Sequence, residues 1–281
     1  MARPCGLIAL LTDFGLRDIF VGVMKGTIQR IAPSVEVVDL SHGVPPQNVQ
    51  VGSVFLEASL RYFPPGTVFV AVVDPGVGTE RRAVAVQGGQ HFYVAPDNGL
   101  LTGALVLDPP TKAICLSNAR YQLPPVGATF HGRDIFAPAG AYLASGTPLK
   151  ELGDPIRPET LLRLPDASPR QEGHRWIGAV LFADRFGNLI TNVRREALDR
   201  PVRRVIVPEL GDLGPPRTTY GEAEVGAFLA LWNSFDRLEI AQRNGNCAAT
   251  LNWHPERRLE VIIETEPPLP PNERSNAATG R

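Results

Sequence analysis

The chain has 281 residues, 43% of them hydrophobic and 20% charged, which is ordinary for a globular protein and enough for one large or two smaller domains. Its formal net charge of −1 and its short basic clusters provide no concentrated basic face, so the sequence argues against a nucleic-acid partner. No apolar run reaches the roughly 18 residues of a membrane-spanning helix, and three widely spaced cysteines indicate a reducing cytoplasm rather than a disulfide framework.

Predicted strands and helices alternate in the first half of the chain. Residues 7–12, LIALLT, are a continuous apolar run that is typical of a buried strand. The further predicted elements are strands at 35–40, 67–73, 83–86 and 92–95 and helices at 20–31, 49–61 and 136–144. This order predicts an α/β domain over residues 1–155 with a mainly parallel sheet. Such sheets carry ligand-binding loops at the carboxyl ends of their strands.

The character of the sequence changes after about residue 150. Residues 155–172 are rich in Pro, Arg and Glu, as in a linker, and short β-rich runs punctuated by Gly and Pro follow. These runs are 176–183, 189–193, 202–207, 237–240 and 259–264. They predict a smaller antiparallel β-barrel domain over residues 172–265. Residues 266–281, with four prolines and then polar residues, are predicted to form a disordered tail.

The segment VVDPGVGTERR at 72–82 places a carboxylate at a strand end, followed by a glycine-rich turn and two arginines. Glycines let the backbone approach a ligand closely, and an arginine within reach of Asp74 would orient its carboxylate. A tight turn with a surface ion pair explains the same residues equally well. This segment alone therefore leaves a catalytic and a structural interpretation open.

The segment TFHGRDIFAPAG at 129–140 places a histidine before a glycine and a charged pair. Such a histidine suits proton handling or the orientation of a water molecule, although a lone His131 could equally be a structural hydrogen-bonding group. For Asp134 we favour the structural interpretation, in which an early acidic residue complements the dipole at a helix N-terminus.

Two segments of the second half combine acids, amides and aromatic residues: ADRFGNLITN at 183–192 and WNSFDRLEIAQRNGN at 232–246. The first could bind an amino group and a purine, and in the second Asn233 and Ser234 could hold a ligand carboxylate. Taken alone, the first segment is better explained as a hairpin turn, and the second is similar. The five histidines are scattered and no metal-binding motif is present, so no metal is predicted.

Six segments, in this order along the chain, together resemble the S-adenosylmethionine hydroxide adenosyltransferase family, the hydrolytic relatives of the fluorinase and chlorinase. They are TDFG at 12–15, VVDPGVGTERR at 72–82, PDNGLL at 96–101, TFHGRD at 129–134, DRFGN at 184–188, and NSF with LEIA at 233–241. The resemblance implies an N-terminal α/β domain and a C-terminal β-barrel domain. It also implies a homotrimer whose active sites lie between the N-terminal domain of one subunit and the C-terminal domain of the next.

For the adenosine half of the substrate, the resemblance implies contacts from both domains. Asp13 would hold the ribose diol, since a carboxylate accepts hydrogen bonds from both hydroxyls. Asn98 would line the pocket. Phe186 and Tyr220 would sandwich the adenine, and Asn188 would read its edge.

For the methionine half, the resemblance implies that Asp184 and Ser234 take the amino group and the carboxylate. The chain departs from the halogenase pattern here, because Phe235 stands where an arginine would bind the methionine carboxylate. Asn233 is a further candidate for this part of the site.

The resemblance implies that Asp74, Arg81 and His131 form a water-handling triad, with Arg81 preferred to Arg82 by spacing. The implied reaction is hydrolysis of S-adenosylmethionine to adenosine and methionine, by attack of an activated water or hydroxide on ribose C5′. S-adenosylmethionine is then the substrate, and no cofactor is expected. Halogenating relatives typically replace the triad Asp by an aromatic residue and also change the His, so this triad favours water over halide. The alternatives are a non-catalytic S-adenosylmethionine or adenosine-binding protein and a halogenase.

Overall fold

The computed structural model of the protein describes residues 3–267, and the predicted tail beyond residue 267 lies outside them. The chain divides into two compact units between Pro165 and Asp166, inside the segment predicted as a linker. Both edges of that segment carry short strands, Asp154–Ile156 and Arg170–Glu172, which pair with neighbouring strands of the first and the second unit respectively.

In the first unit, each element of the sequence prediction is present, with ends that differ from the predicted ones by at most two residues. The strands are β1 (Leu7–Thr12), β2 (Glu36–Ser41), β3 (Val68–Val72), β4 (Ala83–Gln87), β5 (Phe92–Pro96), β6 (Lys112–Cys115) and β7 (Asp154–Ile156). The α-helices are α1 (Phe20–Ile31), α2 (Val49–Ser59), α3 (Ala104–Leu107) and α4 (Ala137–Ala144). A π-helical turn, Gly132–Phe136, leads directly into α4 and is not predicted from the sequence.

The sheet of the first unit is mixed and has the strand order β2-β1-β3-β5-β4-β6-β7. The pairs β2–β1, β1–β3 and β3–β5 are parallel, whereas β5–β4, β4–β6 and β6–β7 are antiparallel. The expectation of a mainly parallel sheet therefore describes one half of it. In the other half, β4 and β5 are joined by a connection of a few residues, and so short a connection permits only antiparallel pairing.

Several polar residues of the first unit lie at the carboxyl ends of the parallel strands, at one edge of the sheet. Asp13 directly follows β1, Asp74 lies two residues after β3, and Asp97 and Asn98 directly follow β5. Because these three strands are neighbours, the side chains that follow them lie at the same edge of the sheet.

Helices cover the sheet of the first unit and hold this edge in place. Met24 and Ile28 of α1 and the helix α4 share a buried cluster with the side chains of β1 and β3. Each fully buried aliphatic side chain of this kind contributes about 1.5–3 kcal/mol relative to exposure. Within residues 3–267 the longest helix is α1, with 12 residues, and no helix is long and apolar enough to cross a bilayer.

The second unit is built on an antiparallel sheet. Its strands are β8 (Arg170–Glu172), β9 (Arg175–Ala183), β10 (Leu189–Arg194), β11 (Val202–Val207), β12 (Gly211–Asp212), β13 (Phe228–Trp232), β14 (Arg237–Gln242) and β15 (Glu260–Thr265), with one short helix, α5 (Cys247–Thr250). The order is β12-β11-β15-β9-β10-β14-β13, with β8 beside β9. Among the described residues no pairing joins the end strands β12 and β13. The structure thus contains the predicted antiparallel sheet.

Candidate active site

Three side chains form a continuous chain of contacts at the carboxyl edge of the first unit. Arg81 donates from Nε to Oδ1 of Asp74 at 2.9 Å and from Nη2 to Oδ2. The same Nη2 lies 2.7 Å from Nδ1 of His131. The Asp74 and Arg81 side chains are only 5% and 10% exposed, so solvent screens their interaction little. The structure thus brings together the three residues of the proposed triad.

The loop that carries Asp74 and Arg81 is shaped by glycine. The amides of Val77 and Thr79 donate to the carbonyls of Asp74 and Gly76, which gives two successive turns. Gly78 has φ +78°, and a Cβ there would lie 2.4 Å from the Ala128 carbonyl oxygen. Only glycine fits this close approach without a shift of the backbone. The turn therefore returns the chain so that Arg81 faces Asp74, seven residues earlier.

The π-helical turn presents His131 to Arg81 from the other side. An arginine side chain only donates hydrogen bonds, so Nδ1 of His131 must be the acceptor and the neutral ring carries its proton on Nε2. Burial, and secondarily the positive charge of Arg81, lower the pKa of His131 below its usual value of 6.5. The Arg81 guanidinium also lies 5.2 Å from the centre of the buried Phe136 ring. His131 is therefore held as a neutral N–H donor.

Asp13 lies beside this triad. Its Oδ2 accepts the backbone N–H of Gln47 at 2.7 Å, and Gln47 has a left-handed backbone with φ +62°. Burial raises the pKa of Asp13, the Gln47 hydrogen bond opposes this, and the nearby charge of Asp74 raises the pKa further. The Asp13 and Asp74 carboxylates therefore lie close enough to interact electrostatically.

Both the nitrogen and the oxygen of the Asn98 side-chain amide form hydrogen bonds with the backbone. Its Nδ2 donates to the carbonyl of Val73 at 2.9 Å, and its Oδ1 accepts the N–H of Leu100 at 3.1 Å. The contact with Val73 fixes the residue that directly precedes Asp74. In the described structure Asn98 supports the position of the triad carboxylate.

Arg82 takes part in a separate ion pair that the sequence analysis did not identify. It donates from Nε to Oδ2 of Asp97 at 2.8 Å and from Nη1 to Oγ1 of Thr160 at 3.2 Å. The other oxygen of Asp97 accepts the N–H of Leu162 at 2.8 Å. The structure brings Arg81, and not Arg82, to Asp74 and His131.

Asp134 has a structural role that differs from the predicted one. It is fully buried in the π-helical turn, where it accepts from Arg133 at 2.5 Å and from the N–H of Gly127 at 2.9 Å. Its partner is therefore the neighbouring guanidinium and the preceding loop, rather than the dipole of a free helix end.

In the second unit, the loop between β9 and β10 is organised by Asp184. Its Oδ1 accepts the N–H groups of Phe186 and Asn188 at 2.8 and 2.9 Å, and its Oδ2 accepts Nδ2 of Asn188 at 3.1 Å. This is the hairpin turn that the sequence analysis weighed against a binding role. The turn leaves the Phe186 ring 75% exposed, so the ring is available to a ligand or partner.

A second hairpin loop, between β13 and β14, is organised by Asn233. Its Oδ1 accepts the N–H groups of Phe235 and Arg237 at 2.9 and 3.1 Å. Ser234 is exposed in the same turn, and Phe235 is 51% exposed. Among residues 3–267, no cluster of three or more His, Cys, Asp or Glu side chains is arranged to hold a metal ion.

Glu239 on β14, which was not predicted from the sequence, connects several of the residues predicted to bind substrate in this unit. Glu239 is 3% exposed, and its carboxylate accepts hydrogen bonds from the Tyr220 hydroxyl at 2.6 Å and from the Asn233 side chain. The Tyr220 hydroxyl in turn lies 3.5 Å from Nδ2 of Asn188. Asp184, Asn188, Tyr220, Asn233 and Glu239 therefore form one polar network. The signal available in the sequence was an acid inside the apolar run LEIA.

Models of known protein families match both units of the chain. The model of the SAM hydroxide adenosyltransferase N-terminal domain matches residues 8–153, and that of the C-terminal domain matches residues 178–260. The chain belongs to the SAM hydroxide adenosyltransferase family. The resemblance found in the six sequence segments is confirmed.

Relatives within and beside the SAM hydroxide adenosyltransferases are similar over most of the chain. A Thermus thermophilus protein named (R)-S-adenosyl-L-methionine hydrolase is 45% identical, covering 87% of this chain and 94% of its own. A fluorinase from an Actinoplanes species is 32% identical, covering 69% and 74%. A crystal structure of a conserved Thermotoga maritima protein is 35% identical, with a TM-score of 0.82 over 91% of this chain and 99% of its own.

Proposed function

We propose that the protein hydrolyses S-adenosyl-L-methionine to adenosine and L-methionine, by attack of a water molecule or hydroxide on ribose C5′. The proposal is supported by the names of its hydrolase relatives. The observation that carries it is the continuous Asp74–Arg81–His131 chain of contacts at the carboxyl edge of the first unit. No cofactor takes part in this reaction, because S-adenosylmethionine is itself the activated substrate.

The reaction needs a positioned nucleophile more than it needs an acid. The substrate carries a sulfonium, so methionine leaves as a neutral thioether when the oxygen–C5′ bond forms and the sulfur–C5′ bond breaks. The water proton is released to solvent. Holding the nucleophile in line and stripping its hydration are then the main tasks of the protein.

The triad geometry indicates how the nucleophile is held. Because Nδ1 of His131 accepts from Arg81, His131 acts on the water as an Nε2–H donor and not as the base. Each Asp74 oxygen accepts one contact from Arg81 and has a further lone pair for a water hydrogen. Asp74 orients the water or accepts its proton, while the positive charge of Arg81 favours hydroxide.

The roles implied for substrate binding form the second part of the proposal. Asp13 holds the ribose diol with Asn98 behind it, and Phe186 and Tyr220 enclose the adenine, whose edge Asn188 reads. For the methionine, Asp184 takes the amino group, and Ser234 with Asn233 takes the carboxylate.

We further propose a homotrimer in which these two sets of residues come from neighbouring subunits. The second unit is proposed to curl into a barrel. The proposed compartment is the cytoplasm, in keeping with the unpaired state of Cys5, Cys115 and Cys247.

A halogenase is the second candidate, because a fluorinase is among the relatives at 32% identity. A halide site requires a dry pocket, whereas Asp74 and His131 supply two polar groups at the position where halogenases typically carry an aromatic residue and a changed histidine. Water is therefore the nucleophile that this site favours.

The test is a product assay in ¹⁸O-labelled water with both sulfonium epimers, since the hydrolase relatives are named for the (R) form. We expect equal amounts of adenosine and methionine, with the label in the adenosine 5′-hydroxyl. Label elsewhere would sink the mechanism, and 5′-halo-adenosine formed in chloride or fluoride would establish the halogenase instead. Tight adenosine binding without turnover of either epimer would indicate a binding protein.

A further inference from the structure

The Glu239 carboxylate is a buried acid that the proposed mechanism does not use. It lies on β14 between β10 and β13, facing Ile190 and Leu231 in the register of the sheet, and is 3% exposed. A buried carboxylate is costly unless it is fully hydrogen-bonded. Its presence in this strand therefore calls for an explanation in terms of the groups that it contacts.

Another buried acid in the same sheet shows what a purely structural carboxylate looks like here. Glu264 on β15 is 4% exposed and lies 2.7 and 2.6 Å from nitrogen atoms of Arg175 and Arg204. Hydrogen bonds from these two guanidinium groups lower the pKa of Glu264 to about 2. Its negative charge is thus satisfied by two cations that link neighbouring strands.

Glu239 has partners of a different kind. It accepts from the Tyr220 hydroxyl at 2.6 Å and from the Asn233 side chain, and each partner belongs to a different loop. Burial raises the pKa of Glu239, the Tyr220 hydrogen bond opposes this, and the negative charge of Asp184 adds to the rise. The groups that Glu239 contacts are therefore those predicted to meet the substrate.

We infer that Glu239 is a positioning residue for substrate binding, which fixes the Tyr220 ring and the Asn233 amide in the orientation that receives S-adenosylmethionine. The inference rests on the proposed function. Without Glu239, the Tyr220 ring, 43% exposed, loses the contact that holds its hydroxyl end to the sheet. The free-energy cost of ordering the ring then weakens substrate binding.

The test compares Glu239→Ala, Glu239→Gln and Tyr220→Phe by steady-state kinetics with S-adenosylmethionine and by calorimetric binding of adenosine. We expect Glu239→Ala to raise KM and the adenosine Kd about tenfold, as for loss of one charged hydrogen bond, with kcat nearly unchanged. Glu239→Gln retains an oxygen acceptor and should stay within about threefold of the native protein. Tyr220→Phe should shift in the same direction as Glu239→Ala.

The double variant Tyr220→Phe/Glu239→Ala should be no weaker in adenosine binding than Glu239→Ala, because the two changes remove one shared contact. Glu264→Gln is the matched control, and it should lower Tm without altering KM. The inference is overturned if Glu239→Ala leaves adenosine binding unchanged, if Gln is as harmful as Ala, or if kcat alone falls. If Glu239→Ala does not fold, Glu239→Gln and Tyr220→Phe decide. Adenosine binding reports on Glu239 even if the native protein fails to turn over S-adenosylmethionine, so failure of the two proposals can be distinguished.

Discussion

Two neighbouring arginines, Arg81 and Arg82, each contact a buried aspartate through more than one nitrogen. The two ion pairs differ in the further groups that they contact. Arg82 and Asp97 are completed by Thr160 and by the backbone N–H of Leu162. Arg81 and Asp74 are completed by the ring of His131. The first pair fastens the segment around residues 160–162 to the end of β5, whereas the second ends on a group that can exchange a proton.

This difference shows that the ion pair itself does not mark the chemistry. Both aspartates are about equally buried, at 5% and 4% side-chain exposure, and both partners are arginines. What distinguishes the triad is its third member, a titratable ring that is only half-buried. We therefore expect the Asp74 pair to control turnover and the Asp97 pair to control stability.

The largest expected effect comes from exchanging the two aspartates for asparagine. Asp74→Asn removes the charge that orients the nucleophile, so kcat should fall on the order of a hundredfold or more. Asp97→Asn should keep kcat within about threefold and lower the free energy of unfolding by about 1–3 kcal/mol. Adenosine release and urea unfolding measure the two quantities. A folded Asp97→Asn protein without activity would remove the distinction between the pairs.

A smaller effect is expected from pH. The triad needs His131 with Nδ1 unprotonated, so that Nδ1 can accept from Arg81, and burial together with the charge of Arg81 lowers the pKa of His131 below its usual value of 6.5. The turnover rate should therefore be maximal above pH 6.5. It should decline, by up to about tenfold per pH unit, only as the pH falls through the lowered pKa of His131. The folding stability linked to His131 has the same sign, because the unfolded chain binds the proton more readily.

A kcat/KM profile against pH for the native protein and for His131→Gln checks this assignment. The acidic limb that belongs to His131 should be absent in the variant. A limb that persists unchanged would instead belong to another group, such as Asp13, whose pKa is raised by burial.

The smallest expected effect concerns Asn98, which supports the backbone before Asp74. Asn98→Ala removes its hydrogen bonds to Val73 and Leu100, and should lower the free energy of unfolding by about 1–2 kcal/mol. Activity should fall only a fewfold if its role is to hold the end of β3. A hundredfold loss at unchanged Tm would show instead that Asn98 touches the substrate.

The fold of the first unit could be predicted where the apolar pattern is long, and not where the strands are short. The strands β1 and β3 and the helix α1 are continuous or periodic apolar segments, so their ends differ little from the prediction. In contrast, β6 has four residues and β7 has three, and both were missed although they extend the antiparallel half of the sheet that begins at the β5–β4 pair. Such short segments acquire their conformation from the neighbouring strand rather than from their own pattern.

In the second unit, β13 (FLALW) lacks the alternation of a half-buried strand and was missed, although it pairs with β14 along its whole length. Polar contacts between residues that are far apart along the chain could also not be predicted from the sequence. Asp74 and His131 are far apart along the chain, and only the resemblance grouped them. Glu239 escaped notice because nothing in the motif LEIA reveals that its partners come from two loops.

Because of the π-helical turn before α4, the number of residues in this segment matters for the alignment of the triad as much as their chemistry does. The N–H of Ala137 bonds to the carbonyl of Gly132, five residues back, so the turn holds one residue more than an α-helical turn. Deleting that residue would let the segment wind as a regular helix and rotate His131 by about 100° about the axis. A homologue one residue shorter here would keep every triad side chain and still lose their alignment.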